Sequence, residues 1–98
     1  MTKGNKNVMY TVFSGDGKEI DITEKQMKLR NELIAQFVEC RKRKGWTQQE
    51  LSKRSGITRS NITRFESGRY NPTLEMVVRV AAALEVELTF NLDTNNNN

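Results

Sequence analysis

Apolar residues recur along this chain with two different periods. Through the middle they return every three or four positions, and near the C-terminal end they alternate every second position, so helices are expected in the centre and a strand after them. The first helical stretch covers about 24–44, where Leu29, Leu33, Phe37 and Cys40 recur with Ile34 and Val38 beside them. Thr23 stands as its N-cap with Gln26 as capping-box partner, Gly45 stops it, and Trp46 is expected as a lid on the core. Residues 47–68, TQQELSKRSGITRSNITRFESG, predict two short helices with Leu51, Ile57, Ile62 and Phe65 facing inward. Gly56 sits between them, where a helix end needs positive φ, Thr58 caps the second, and Gly68 ends it. Pro72 bars further helix and biases Asn71 to an extended conformation. Thr73 caps a last helix with Met76 in the box position, which leaves half a capping box, and Leu74, Val77, Val80, Ala81 and Leu84 form its stripe.

The two ends read as strands on different grounds, composition at the first and alternation at the second. Residues 9–13 are rich in β-branched and aromatic types, Ser14-Gly15-Asp16-Gly17 has turn composition, and 19–22 supplies a short return strand. In EVELTFNL, residues 85–92, Val86, Leu88, Phe90 and Leu92 alternate with Glu87, Thr89 and Asn91. A lone strand exposes open hydrogen-bonding edges and needs a partner. The N-terminal hairpin or a second copy of the strand would serve; alternatively the segment only covers its own core. The expected fold is therefore mainly α: a helical bundle with a short N-terminal β-hairpin and a C-terminal strand that forms a sheet across a dimer. Residues 1–22 form an extension whose first seven residues are expected to be mobile, 23–92 the domain, and 93–98 a disordered, asparagine-rich tail.

A helix, a glycine turn and a capped helix of this length make the helix-turn-helix pattern. The second of these helices carries Arg59, Ser60 and Asn61 in its first turn and Thr63 and Arg64 one turn on. Residues three and four apart share a face, which gathers Arg59, Ser60, Thr63 and Arg64. Arginine takes guanine bidentately, and serine, threonine and asparagine carry donors and acceptors for base edges or phosphates. The plainer reading is a solvated amphipathic helix. The surrounding motif decides for DNA, because the N-terminal end of such a helix is what enters the major groove.

Trp46-Thr47-Gln48-Gln49-Glu50-Leu51-Ser52, Ser55-Gly56-Ile57, Ile62-Thr63-Arg64-Phe65-Glu66-Ser67-Gly68 and Asn71-Pro72-Thr73-Leu74 together resemble the Cro/phage-repressor (XRE-like) helix-turn-helix family. The similarity spans about residues 29–86. The resemblance implies a five-helix domain, dimeric operator binding and transcriptional repression. Residues 85–92 depart from it, since they read as a strand where the family has a fifth helix. By motif position Gln48 resembles the residue that opens the first motif helix and touches phosphate or a base. Arg59, Ser60 and Arg64 match base-reading positions, and Asn61 lies beside them. The family also implies an ion pair between Arg41 and Glu66 that ties the first helix to the recognition helix. Ser52 is another departure, standing where the family most often has alanine at a helix–helix contact.

Charge changes the picture by where it lies. The net charge is +4, but 1–40 balances six Lys/Arg against six Asp/Glu. Residues 41–70 carry nine Lys/Arg and two acids, which leaves +7 on the motif, while 71–98 is acidic. A charge run is usually a solvated face; its coincidence with the recognition helix is what phosphate binding needs. Thr47, Thr63, Arg69 and Asn71 join Gln48 as expected phosphate and backbone contacts, and Tyr70 is open to either packing or phosphate bonding.

The remaining composition narrows the function classes. There are no histidines and one cysteine, Cys40, so an internal disulfide, a zinc site and a Cys–His nucleophile have no materials. Cys40 is expected as a core or half-buried thiol. No enzyme, cofactor or metal is expected; the acids Asp16, Glu19 and Asp21 surround a turn, and solvation explains them. There is no long apolar run and no signal-peptide pattern, so the expected location is cytoplasmic. Two readings remain. One is a dimeric repressor on double-stranded DNA, acting by steric block, with Val86, Leu88, Phe90 and Leu92 as the dimer interface; a two-fold protein matches a palindromic operator. The other is an antitoxin that also binds a toxin protein, through the hairpin or the C-terminal strand, while repressing its own operon.

Overall fold

Each helix begins where a short oxygen-bearing side chain replaces the missing helical acceptor. The computed structural model describes residues 11–93. Within it α1 spans Ile22–Arg43, α2 Gln48–Ser55, α3 Arg59–Ser67 and α4 Leu74–Leu84. Thr47, Thr58 and Thr73 cap the last three, each hydroxyl accepting a backbone N–H three residues on. At α1 the expected Thr23 cap is displaced: Asp21 caps the helix and accepts from the Glu24 N–H at 3.2 Å. A carboxylate is the stronger acceptor beside the positive end of a helix, so the helix starts two residues early. Gly56 and Gly68 end α2 and α3 at φ of 74° and 73°.

Before α1 lies a hairpin of β1 (Val12–Phe13) and β2 (Glu19–Ile20), paired antiparallel with Val12 opposite Ile20. The Asp16 carboxylate draws its turn together, accepting from the Ser14 hydroxyl and from the Lys18 N–H. Those two bonds, the hydroxyl first, hold its carboxyl below the usual value. What was expected of residues 1–10 and 94–98 lies outside the described residues.

α2 packs on α3 and α4, and α1 closes the bundle over both. The core is Ile34, Phe37, Leu51, Ile57, Ile62, Phe65, Val77, Val80, Ala81 and Leu84. Phe37 and Phe65 meet with ring centroids 5.8 Å apart. Trp46 is half-buried against this core, with Lys44 and Arg54 over its ring. Two predicted stripe members fail to bury: Leu29 is 69% and Leu74 70% exposed. The buried line of α1 is Ile34, Phe37 and Arg41. Leu29 lies off that line, and the N-terminal half of α1 runs past the three short helices with little to pack on.

The turn between α2 and α3 is fastened by two serines. The Ser52 hydroxyl donates to the Ile57 carbonyl at 2.5 Å, and Ser55 Oγ accepts from the Ile57 N–H at 3.2 Å. Serine at 52 thus supplies a turn bond that alanine would lack.

After α4 the chain turns at Glu85, which has φ 61° and is the one non-glycine with positive φ among the described residues. The expected strand over 85–92 does not form within the chain: residues 86–93 have no regular structure, and the sheet contains only β1 and β2. A strand requires a ladder partner, and the hairpin pairs only with itself. Val86 and Leu88 are half-buried against the core beside Leu33, Phe37 and Cys40. Phe90 and Leu92 are 80% and 90% exposed.

Candidate nucleic-acid interface

The burial of Ile62 and Phe65 fixes which side of α3 faces out. Arg59, Ser60, Thr63 and Arg64 are all exposed on that outer side, and Asn61 is half-buried. The first turn of α3 also differs from those of its neighbours. Glu24, Glu50 and Glu75 occupy the first turns of α1, α2 and α4, whereas α3 has no acid there. The positive end of its dipole is left without a side-chain counter-charge, as an anion-facing helix requires. Ser60 Oγ lies 3.3 Å from the Thr58 capping hydroxyl.

A polar network anchors this helix from behind. Arg41 Nε donates to Glu66 Oε2 at 2.7 Å and Nη2 to Oε1 at 3.0 Å, while Nη1 donates to the Trp46 carbonyl at 2.7 Å. The Gln48 amide donates to Glu66 Oε1 at 2.9 Å, and its carbonyl accepts from the Thr63 hydroxyl at 2.8 Å. The chain Arg41–Glu66–Gln48–Thr63 therefore runs from α1 through α3 to the start of α2 and back to the outer face of α3. Gln48 and Thr63, both expected at phosphates, are brought together. The Gln48 amide keeps a second N–H for a phosphate oxygen, whereas the Thr63 hydroxyl has given its one proton to Gln48 and can bond a phosphate only by turning away from it. Thr47, also expected at the backbone, is exposed and spends one lone pair on the Glu50 N–H.

The α3–α4 loop continues the surface. Arg69 is exposed, and the Arg64 guanidinium lies over the Tyr70 ring, 4.7 Å from its centroid. The Tyr70 hydroxyl donates to Met76 Sδ at 3.2 Å, which places Tyr70 in packing. Asn71 accepts at Oδ1 from Arg30 Nη1 at 2.8 Å.

Ion pairing sorts the arginines. Arg41 pairs with Glu66, Arg43 with Glu39, Arg54 with Glu50 and Arg79 with Glu75. Among the described residues Arg30, Arg59, Arg64 and Arg69 have no carboxylate partner. Three of these were singled out from the sequence. Arg30 was missed, although it sits four residues before Ile34 on the buried line of α1, a spacing readable from the sequence.

A family model described as Helix-turn-helix matches residues 38–91. An uncharacterized HTH-type transcriptional regulator of Methanothermobacter thermautotrophicus is 47% identical over 58 residues, covering 56% of this chain and 84% of that protein. The HTH-type transcriptional regulator SlrR of Bacillus subtilis is 42% identical over half of this chain and a third (33%) of its own length. Antitoxin HipB of Escherichia coli is 39% identical over 49 residues, 50% of this chain and 56% of that protein. No solved structure matches the chain.

Proposed function

Because the chain belongs to the helix-turn-helix family of Cro/phage-repressor (XRE-like) type, we propose that it is a sequence-specific DNA-binding transcriptional regulator, a dimeric repressor on a palindromic operator. Arg59, Ser60, Asn61 and Arg64 enter the major groove and read base edges. Thr47, Gln48, Thr63, Arg69 and Asn71 hold phosphates and set the register. Arg41 and Glu66 belong to the architecture that fixes the angle of α3.

The observation that carries this reading is the outer face of α3. It presents two arginines without carboxylate partners beside an uncompensated helix N-terminus, on a helix braced through Glu66 and Gln48. Fixed donors cost less to order on binding than mobile ones.

The test is selection of bound duplexes from a random pool, followed by salt titration of the winner. The reading expects a palindrome with half-sites about ten base pairs apart and a steep salt slope. Weak, salt-sensitive binding to every sequence would remove the operator from the proposal.

A second reading, that the chain is also an antitoxin, rests on its similarity to HipB and on apolar surface outside α3: Phe13 of the hairpin is 61% exposed, and Phe90 more so. Its check is co-expression with the product of the adjacent reading frame. Growth arrest relieved by this chain through a stable complex would support it, and unrelieved arrest without a complex would remove it.

A further inference from the structure

We propose that Arg30 is an additional DNA phosphate contact, through which the N-terminal half of α1 grips the backbone beside the recognition helix. The inference rests on the DNA-binding reading above and extends it to a residue outside the segment 38–91 that the family model matches.

Three observations meet at this side chain. Arg30 is one of four described arginines without a carboxylate, and the other three lie on α3 and the loop after it. Its guanidinium has five N–H donors, yet among the described residues it makes one hydrogen bond, to Asn71, and its buried Nε has no partner. Only the Nε–H is sealed off; the Asn71 bond lies at the exposed surface, so the remaining terminal N–H groups are open to a phosphate oxygen. The third observation is position. Asn71 follows Tyr70, whose ring carries Arg64, so Arg64 and Arg30 hold adjacent residues of the loop. Asn31 adds to the contact: its Oδ1 lies so near Gly68 that an added Cβ there would meet it at 3.2 Å. Two successive residues of α1 thus touch the loop at Gly68 and Asn71, and Arg30 brings a planar fork, suited to phosphate, to the loop that carries Arg69.

The experiment measures duplex affinity against salt for the full chain, Arg30→Gln and Arg30→Lys, on the selected operator and on an unrelated duplex, with thermal melting of each variant. Losing one phosphate contact lowers the slope of log K against log salt by about 0.9, roughly a fivefold loss near 0.15 M salt. We expect Arg30→Gln to show that loss on both duplexes alike and Arg30→Lys to keep the wild-type slope. An unchanged slope for Arg30→Gln, with or without a lower melting temperature, would overturn the proposal and leave Arg30 as a prop for the loop. If the wild-type chain itself showed no salt-dependent affinity for any duplex, the DNA-binding reading would fail first and Arg30 with it.

Discussion

Arg41 and Glu66, 25 residues apart in sequence, are joined by two parallel hydrogen bonds of 2.7 and 3.0 Å, with side chains only 10% and 8% exposed. The pair links the last turn of α1 to the last turn of α3. Removing one partner strands the other charge in a dry site, which costs about 3–5 kcal/mol. For a domain of this size that is more than about ten degrees of melting temperature. Glu66→Ala should show such a drop by calorimetry, and it also removes the acceptor that holds Gln48. An unchanged melting temperature would mean the pair does not brace α3.

Arg59 and Arg69 should separate reading from gripping. Arg59 stands in the first turn of α3, whereas Arg69 lies beyond Gly68. Arg59→Ala is expected to cost about 1–3 kcal/mol on the operator and to relax selectivity at one base position. Arg69→Ala should weaken all duplexes alike and lower the salt slope by about one. Identical behaviour of the two variants on every DNA would erase the division.

How much of this was legible in the sequence depended on whether the signal was local. Thr47, Thr58 and Thr73 act as caps because a cap is a bond to a residue three positions away. Gly56 and Gly68 were readable for a similar reason, since positive φ is a property of one residue. Leu51, Ile57, Ile62, Phe65, Val77 and Val80 were readable because each of these short helices turns one apolar side onto its neighbours. Leu29 misled because periodicity marks an apolar stripe but not where the opposing helices end. The α1 cap went to Asp21 because two acceptors stood two residues apart and the capping-box spacing of Thr23 to Gln26 drew the expectation to the weaker one. The place of Arg30 on the buried line was readable from its spacing to Ile34, but its bond to Asn71 and the stacking of Arg64 on Tyr70 were invisible, since both depend on where the α3–α4 loop returns. The C-terminal alternation in 85–92 was legible as a pattern, but a pattern does not supply a ladder partner, and the strand does not form within the described residues.

Tyr70 should matter to Arg64 rather than to phosphates. A guanidinium over an aromatic face gains about 0.5–1 kcal/mol at an exposed site, and the ring restricts where the fork points. Tyr70→Ala should therefore reduce discrimination at the base read by Arg64 while leaving the salt slope unchanged. Tyr70→Phe keeps the ring, loses only the bond to Met76, and should retain the discrimination. Loss of discrimination in Tyr70→Phe would point instead to the hydroxyl.

The dimer reading turns on a division within residues 86–92. Val86 and Leu88 are half-buried on their own bundle, whereas Phe90 and Leu92 have no cover. Fully burying such side chains is worth about 1.5–3 kcal/mol each. Pairing the same segments of two copies across a two-fold axis would cover both residues and give each segment its missing ladder. We expect the wild-type chain to sediment as a dimer at micromolar concentration. The double variant Phe90→Asp, Leu92→Asp should sediment as a monomer whose melting temperature at low concentration is little changed, because neither side chain is part of the core. That variant should keep its affinity for an isolated half-site and lose most of its advantage on the full palindrome, since only a joined pair engages both halves at once. A wild-type monomer under these conditions would remove the two-fold protein from the proposal, while a dimer that survives both charges would place the interface elsewhere on the chain.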